Sequence, residues 1–385
     1  MKIWFATDRS TGCYYVREKI IEKYINREWI HEVRIDDQIS FKINDNKEII
    51  DVMADSLDWC DVMVLARTYK PLQDKSIKSR HKIPILLLRK AKELWKKVVY
   101  EIDDDFKTLF EGKALHNMSS VEIYNRWDKK EQIDCFYNES DLITTTTEEL
   151  RQKLIPEKTV VLPNCIDFEE YGDFNFNKRW DKIKILVSGG ITHLRDWQII
   201  LDPLKQLSKE FPIEIIFYGI DSNVLATTFK DYFQKMDRNN PLNQWMFSLF
   251  DFINKSQELG NITFVNWVEV KDYQKTLKSL GANIGLIPLE GTEFDESKSD
   301  IKFREYSACS IPVIASKVIP YSNNITEETG ILCKNKFFNW YNAIKKLIEN
   351  EDLAKRLALN AYNDTLKNRD ISKNYKHWID AYKNL

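Results

Sequence analysis

The chain has 385 residues, 43% of them hydrophobic and 30% charged, and its 57 basic and 59 acidic residues leave a formal charge of −2. At about 150 residues per domain this length predicts two domains, and the near-neutral balance excludes a globally basic, polyanion-coating protein while leaving room for a local basic cleft. No apolar run reaches the ~18 residues of a membrane-spanning helix.

In chain order, apolar runs of strand length alternate with longer segments of helical period, the pattern of parallel α/β layers. Strands are predicted at Lys2–Ala6, Val62–Ala66, Val98–Ile102, Leu142–Thr145 and Val160–Leu162, with helices over Val16–Tyr24 and Val121–Tyr137. The strands are apolar throughout rather than alternating, which suits a parallel sheet covered on both faces. Phe168–Asp181 carries neither period and reads as an interdomain connection. Strands resume at Ile183–Val187, Ile213–Tyr218, Ile262–Val265, Ile284–Ile287 and Ile311–Ala315, with helices at Asp196–Glu210, Asp272–Leu280 and Ile301–Ala308. From Asn339 onward the tail is helical, and Ser372–Leu385 has no strand to follow. The expected fold class is therefore α/β, with two doubly wound Rossmann-like domains, residues 1–167 and 182–370, joined by a linker at 168–181 and followed by a terminal helix at 371–385.

Met1-Lys-Ile-Trp-Phe-Ala6 enters the strand pattern directly and lacks the long apolar run and small-residue cleavage site of a leader peptide, so none is expected. Cys13, Cys60, Cys135, Cys165, Cys309 and Cys333 show no C-x-x-C spacing, so neither a zinc site nor a disulfide framework is expected. These features predict a cytoplasmic protein with reduced thiols.

Three stretches carry candidate chemistry. Ser188-Gly189-Gly190 follows a strand and precedes a helix, where glycines let the backbone approach a phosphate and the helix N-terminus offers free N–H groups. Arg195 stands at that N-terminus, and the competing reading is a plain glycine turn. The run 298–316 enters a helix through a Lys-rich loop, placing Lys298 and Lys302 near a second helix N-terminus. Glu305 is then directed into the same crevice, where a carboxylate suits vicinal hydroxyls; the competing reading is a charged surface face. Glu101-Ile-Asp103-Asp104-Asp105 closes a strand, and such carboxylates can act as a base, hold a divalent cation or cap the next helix. Among the histidines His31, His81, His116, His193 and His377, only His193 lies beside the phosphate turn. Trp4, Trp127 and Trp245 are candidates to stack on a sugar or base.

The order of motifs is more specific than any one of them. After the Gly-Gly turn come Phe217-Tyr-Gly219, Phe264-Val-Asn-Trp-Val268, Leu280-Gly-Ala-Asn-Ile-Gly-Leu-Ile-Pro288 and the Lys302-x-x-Glu305-Tyr-x-Ala-x-x-Ile-Pro-Val-Ile-Ala-Ser316 run. Upstream stand Asp141-Leu-Ile-Thr-Thr-Thr-Thr-Glu148 and Leu162-Pro-Asn-Cys-Ile-Asp167. The series resembles the large family-four group of retaining glycosyltransferases, the sucrose-synthase-like and mannosyltransferase-like enzymes of the GT-B fold. The likeness covers most of the chain and is strongest from Asp141 to Ser316.

The resemblance implies transfer of a sugar, with retention of configuration and without a metal, from a UDP- or GDP-sugar to an acceptor hydroxyl. UDP-sugar is the leading donor, and no further cofactor is implied. The donor would lie in the second domain and the acceptor in the first. Glu305 resembles the second Glu of the family's Glu-x₇-Glu motif, while Ser297 stands at the first, with Glu293, Asp295 and Glu296 nearby. Arg195 and Lys302 stand for the pair that neutralises the diphosphate, with Lys298 as substitute; Gly189, Gly190, His193, Gly219 and Ser299 complete the donor side. The backbone at Trp267 and Val268 would face the nucleobase. Gly12, Tyr14, Tyr15 and Arg17 would flank the acceptor, and Asp103 or Asp104 would bind or deprotonate it. The terminal helix would cross back onto the first domain.

Other readings follow from the same residues. The acceptor is a glycan, another polar molecule, or a hydroxymethylated base in viral DNA, the last placing a virus-encoded enzyme in host cytoplasm. Loss of the first Glu suggests a non-catalytic nucleotide-sugar or glycan binder of the same fold. A single-domain, metal-dependent transferase using Asp103 and Asp105 would leave the second α/β half without a role.

Overall fold

Runs such as Val62-Met-Val-Leu-Ala66 and Ile213-Glu-Ile-Ile-Phe-Tyr218 have no wet face to offer, so they become inner strands of parallel sheets. The computed structural model describes residues 1–7, 12–67, 82–111, 126–176, 182–220, 237 and 244–385. The first half contains β1 (Lys2–Ala6), β2 (Glu32–Asp36), β3 (Ser40–Ile43), β4 (Ile49–Met53), β5 (Val62–Ala66), β6 (Lys97–Ile102), β7 (Leu142–Thr145) and β8 (Thr159–Val161). Six of these form a parallel sheet in the order β2-β1-β5-β6-β7-β8, with β3 and β4 as a separate hairpin. The second half contains β9 (Ile183–Ser188), β10 (Ile213–Tyr218), β11 (Ile262–Val265), β12 (Ile284–Ile287), β13 (Val313–Ser316) and β14 (Ile331–Cys333), in the order β11-β10-β9-β12-β13-β14.

Strand order reverses between β1 and β5 in one sheet and between β9 and β12 in the other. Loops leaving the carboxyl ends diverge at such points and open a crevice. The segments that follow β5, β6, β9, β10, β11 and β12 all contribute to one cavity between the two halves.

Several elements differ from the sequence expectation. The edge strands β2 and β14 and the hairpin β3–β4 are absent from it, because their faces are half wet and their apolar runs short. β13 begins at Val313 rather than Ile311, since Pro312 has no N–H for the ladder. The first helix opens with a π-turn at Tyr15–Lys19 before Ile20–Arg27. The predicted helix Val121–Tyr137 runs over Arg126–Glu139, residues 121–125 lying outside the described residues. The segment expected to be irregular contains a short helix, Phe168–Tyr171, capped by the Asp167 carboxylate, which accepts from the Glu169 N–H.

The halves are joined twice. Ile166 and Asp370 pair as a parallel bridge, with the Ile166 N–H donating to Arg369 O at 2.7 Å and the Ile371 N–H to Ile166 O at 3.0 Å. Beyond that crossing, Ile371, Tyr375, Trp378, Ile379 and Tyr382 bury against Ile3, Phe5, Ile20, Leu142 and Leu162 of the first half.

Candidate active site

A cavity of about 420 Å³ lies between the halves. Its floor in the second half consists of the turns after β9 and β10. Gly189 has φ +153°, and a Cβ there would stand 2.7 Å from Lys302 Nζ and 3.0 Å from His193 Cδ2. Gly219 has φ +106°, and its Cβ would meet Gly189 O at 2.4 Å. Only glycine fits at either place, so the floor is bare backbone. Tyr306 holds the turn from below: its hydroxyl accepts from the Ser188 N–H at 2.8 Å and donates to Ser188 Oγ at 2.9 Å.

Lys302, in the first turn of the helix Ile301–Ala308, donates from Nζ to Ser188 O at 2.9 Å. Burial pulls its pKa down to about 8, against the attraction of Asp196, so its charge is held at a cost that an entering anion relieves. Glu305, one turn on, accepts from Tyr273 Oη at 3.0 Å. Burial pushes its carboxyl up to about 7, with the Tyr273 hydrogen bond and Lys302 opposing. His193 Nδ1 lies 2.8 Å from Asp196 Oδ2. Burial, with Lys302 and Lys298 adding to it, keeps the His193 pKa well below the usual imidazole range. An ionised aspartate only accepts, so Nδ1 carries the proton and Nε2 keeps a lone pair.

The facing wall is built on Arg67, which follows β5 with φ +51°. Its guanidinium pairs with Asp103 at 2.9 Å and Asp104 at 2.8 Å, and touches Cys13 Sγ at 3.0 Å. Lys298 reaches across from the other half to 3.7 Å from Asp104. Burial raises the Asp104 pKa, and Lys298 and Arg67 counteract it. With Arg67 bridging both carboxylates, these residues form an ion-pair cluster; among the described residues no group of three His, Cys, Asp or Glu side chains is set to hold a metal.

The fold brings most of the expected residues to this one cavity: Tyr15, Arg17, Asp103 and Asp104 on one side, and Gly189, Gly190, His193, Gly219, Trp267, Val268, Lys298, Ser299, Lys302 and Glu305 on the other. Trp267 is 61% exposed at the wall, free of core packing. Others are placed differently. Arg195 turns away to pair with Glu290 at 3.1 Å and does not line the cavity, so Lys302, half-buried, is the cation that meets this floor. Tyr14 is also outside it, packing at the edge of the first core, and the surroundings of Gly12 lie outside the described residues. Arg17 reaches the cavity, but its guanidinium is engaged by Glu101 at 2.8 and 3.0 Å, Asn164 Oδ1 at 3.1 Å and Leu162 O. Ser297 is fully buried and its carbonyl accepts from Thr147 Oγ1 at 3.1 Å, so the position expected to carry a first Glu packs against the first half. Asp105 caps the helix Phe106–Phe110 through the Thr108 N–H. Trp4 is core, donating to Asp36 O at 3.3 Å, while the side chains of Trp127 and Trp245, together with His81 and His116, lie outside the described residues.

Arg67 and Tyr273 are absent from the sequence expectation. Arg67 carried one usable signal, its place at the carboxyl end of an apolar strand. Tyr273 carried none, because its partner is 32 residues away in sequence.

No protein-family model matches the chain, and no curated protein matches it in sequence. Solved structures do. Sucrose-phosphate synthase from Thermosynechococcus elongatus superposes with a TM-score of 0.63 at 13% identity, over 100% of this chain and 98% of that one. HepE from Anabaena, in complex with UDP-glucose, gives 0.63 at 12% over 100% of both chains. An alpha-glucosyltransferase in complex with UDP and a 13-mer DNA containing an HMU base gives 0.63 at 12% over 100% and 99%. Two parallel-sheet Rossmann-like domains, facing across a cleft at their topological switch points and aligned end to end with these structures, give this chain the GT-B fold.

Proposed function

We propose that the protein is a glycosyltransferase that moves a sugar from a UDP-sugar to an acceptor hydroxyl. The observation that carries this reading is the convergence of the bare Gly189–Gly219 floor, the Lys302 ammonium and the Glu305 carboxylate in one interdomain cavity. The diphosphate lies on the floor, with its charge met by Lys302, Lys298 and backbone N–H groups. Glu305 accepts from the ribose hydroxyls and Trp267 covers the base. The bond between the anomeric carbon and the diphosphate oxygen breaks with its electron pair on the leaving nucleotide. The acceptor oxygen attacks from the face just vacated, retaining configuration, and its proton passes to Asp103 or Asp104. Fixed cations in a water-poor cleft contribute roughly 3–4 kcal/mol per well-placed donor to such a transition state, so no step is assigned to a metal.

UDP-glucose in the HepE complex and UDP in the glucosyltransferase complex favour uridine over guanosine as the donor nucleoside. The same glucosyltransferase was solved with DNA, which keeps a modified base as the second acceptor reading beside a glycan. A thermal-shift panel of nucleotides and nucleotide-sugars tests the donor, since a bound ligand raises the melting temperature by mass action. UDP and UDP-sugars are expected to stabilise the chain, and slow UDP-sugar hydrolysis is expected to vanish in Glu305→Ala. Stabilisation without any turnover identifies a binder; neither one refutes the proposal. Salt-sensitive retention of hydroxymethylated duplex supports the DNA acceptor, and none at low salt removes it.

A further inference from the structure

The loop Gly291–Ser299 belongs by sequence to the second half, between β12 and the helix that carries Lys302 and Glu305. Its apolar side chain does not. Phe294 is 5% exposed and joins the core of the first half, in the cluster that holds Ile102, Phe106, Leu109 and Phe110. The loop around it is prefolded: Asp295 Oδ2 accepts from the N–H groups of Gly291 and Thr292 and from Thr292 Oγ1, at 2.9 to 3.2 Å. Polar contacts to the first half surround the inserted ring. Thr147 Oγ1 donates to Ser297 O at 3.1 Å, Lys153 Nζ to Glu293 O at 2.6 Å, and Asn164 Nδ2 to Ser299 Oγ at 2.8 Å. Lys298 lies over the same phenyl ring at 4.6 Å and ends 3.7 Å from Asp104.

We propose that this loop is a cross-cleft latch, in which Phe294 acts as a positioning residue: seated in the acceptor half, it holds the cleft shut and sets Lys298 between Asp104 and the diphosphate floor. Lys298 then has two anionic partners available, Asp104 without donor and the leaving diphosphate with it. Drawing Lys298 onto the phosphates releases Asp104 from its cross-cleft partner, which couples occupation of the donor site to the acceptor wall. The latch itself stands on packing alone; its effect on turnover rests on the glycosyltransferase reading above.

The tests separate the two. Phe294→Ala, checked for folding by its melting transition, should raise the radius of gyration in small-angle scattering, because the second half keeps its own core and only the seat is lost. Phe294→Leu, which refills the seat, should restore the wild-type value. In turnover, Phe294→Ala should lose at least tenfold in kcat while the Kd for UDP moves less than threefold, since Lys302 and the glycine floor stay on the donor half; Phe294→Leu should recover most of the loss. If Phe294→Ala cannot be purified, hydrogen exchange on the wild-type chain serves instead: amides of 291–299 and of the facing segment 147–153 should open with one shared exchange rate. Unchanged scattering in Phe294→Ala, or independent exchange of the two segments, overturns the latch. Absence of turnover in the wild type overturns the activity and leaves the latch standing on the scattering.

Discussion

Replacing Glu305 by Gln should make the protein more stable and less active, and the gain should depend on pH. Glu305 is 9% exposed, and burial lifts its pKa from an ordinary 4.5 to about 7. At ~1.36 kcal/mol per unit, ionising this carboxylate in the folded state at pH 8 or above costs on the order of 3 kcal/mol relative to the unfolded chain. The native state binds more protons than the unfolded state between those two values. The stability contributed by the neutral acid is therefore complete below about pH 4.5 and is lost as pH rises through about 7. Gln keeps an acceptor for Tyr273 Oη without the charge. Urea unfolding of wild type and Glu305→Gln at pH 5 and pH 8.5 should show near-equal stabilities at the lower pH. At the higher pH the variant should lead by roughly 2–4 kcal/mol, with turnover lost at both. A variant no more stable than wild type at pH 8.5 would sink the reasoning, because the buried charge would then carry no penalty that a bound ribose relieves.

Lys302→Ala should lower kcat by about 10²-fold or more while changing nucleoside affinity little, since leaving-group charge builds only toward the transition state; equal losses in kcat and nucleoside binding contradict that assignment. Arg67→Ala removes a cation that holds the Asp104 pKa down, so the acid limb of the kcat/KM profile should move to higher pH, and an unmoved limb would argue against Asp104 as the proton acceptor. Gly219→Ala places a methyl 2.4 Å from Gly189 O at φ +106° and should abolish UDP binding by calorimetry while costing about 1–3 kcal/mol of stability. Trp378→Ala removes a 1%-exposed side chain from the first core and should cost about 3–5 kcal/mol in urea unfolding; a loss below ~1 kcal/mol would mean the terminal helix is not integral to that core.

Inner strands were legible because burial on both faces demands unbroken apolar runs: β1, β5, β7, β10 and β12 span the expected residues. β2 was not, since its exposed–buried alternation holds only two buried residues, and the β3–β4 hairpin shows most of its surface to water. In the second half, glycine turns and the Lys302–Glu305 spacing could be read locally, because the floor closes two strands and the cation and carboxylate lie one turn apart on one short helix. Arg195 shows the limit of that reading, because a cation at a helix N-terminus is free to choose a nearer carboxylate, here Glu290. The facing wall is assembled from the ends of β1, β5 and β6 by tertiary folding, and the place of Arg67 after an apolar strand does not by itself mark it as the clamp on Asp103 and Asp104.

The paired crossings at Ile166 and Asp370 make the second half an insertion within the first, bracketed by two adjacent joints. A lobe hung on a two-ply pivot swings readily about one axis and resists twisting about the other, so its travel is nearly one-dimensional. The same bracketing makes it a cassette: graftable in one piece, with two neighbouring seams to match and the Phe294 seat in the host's interior to refill.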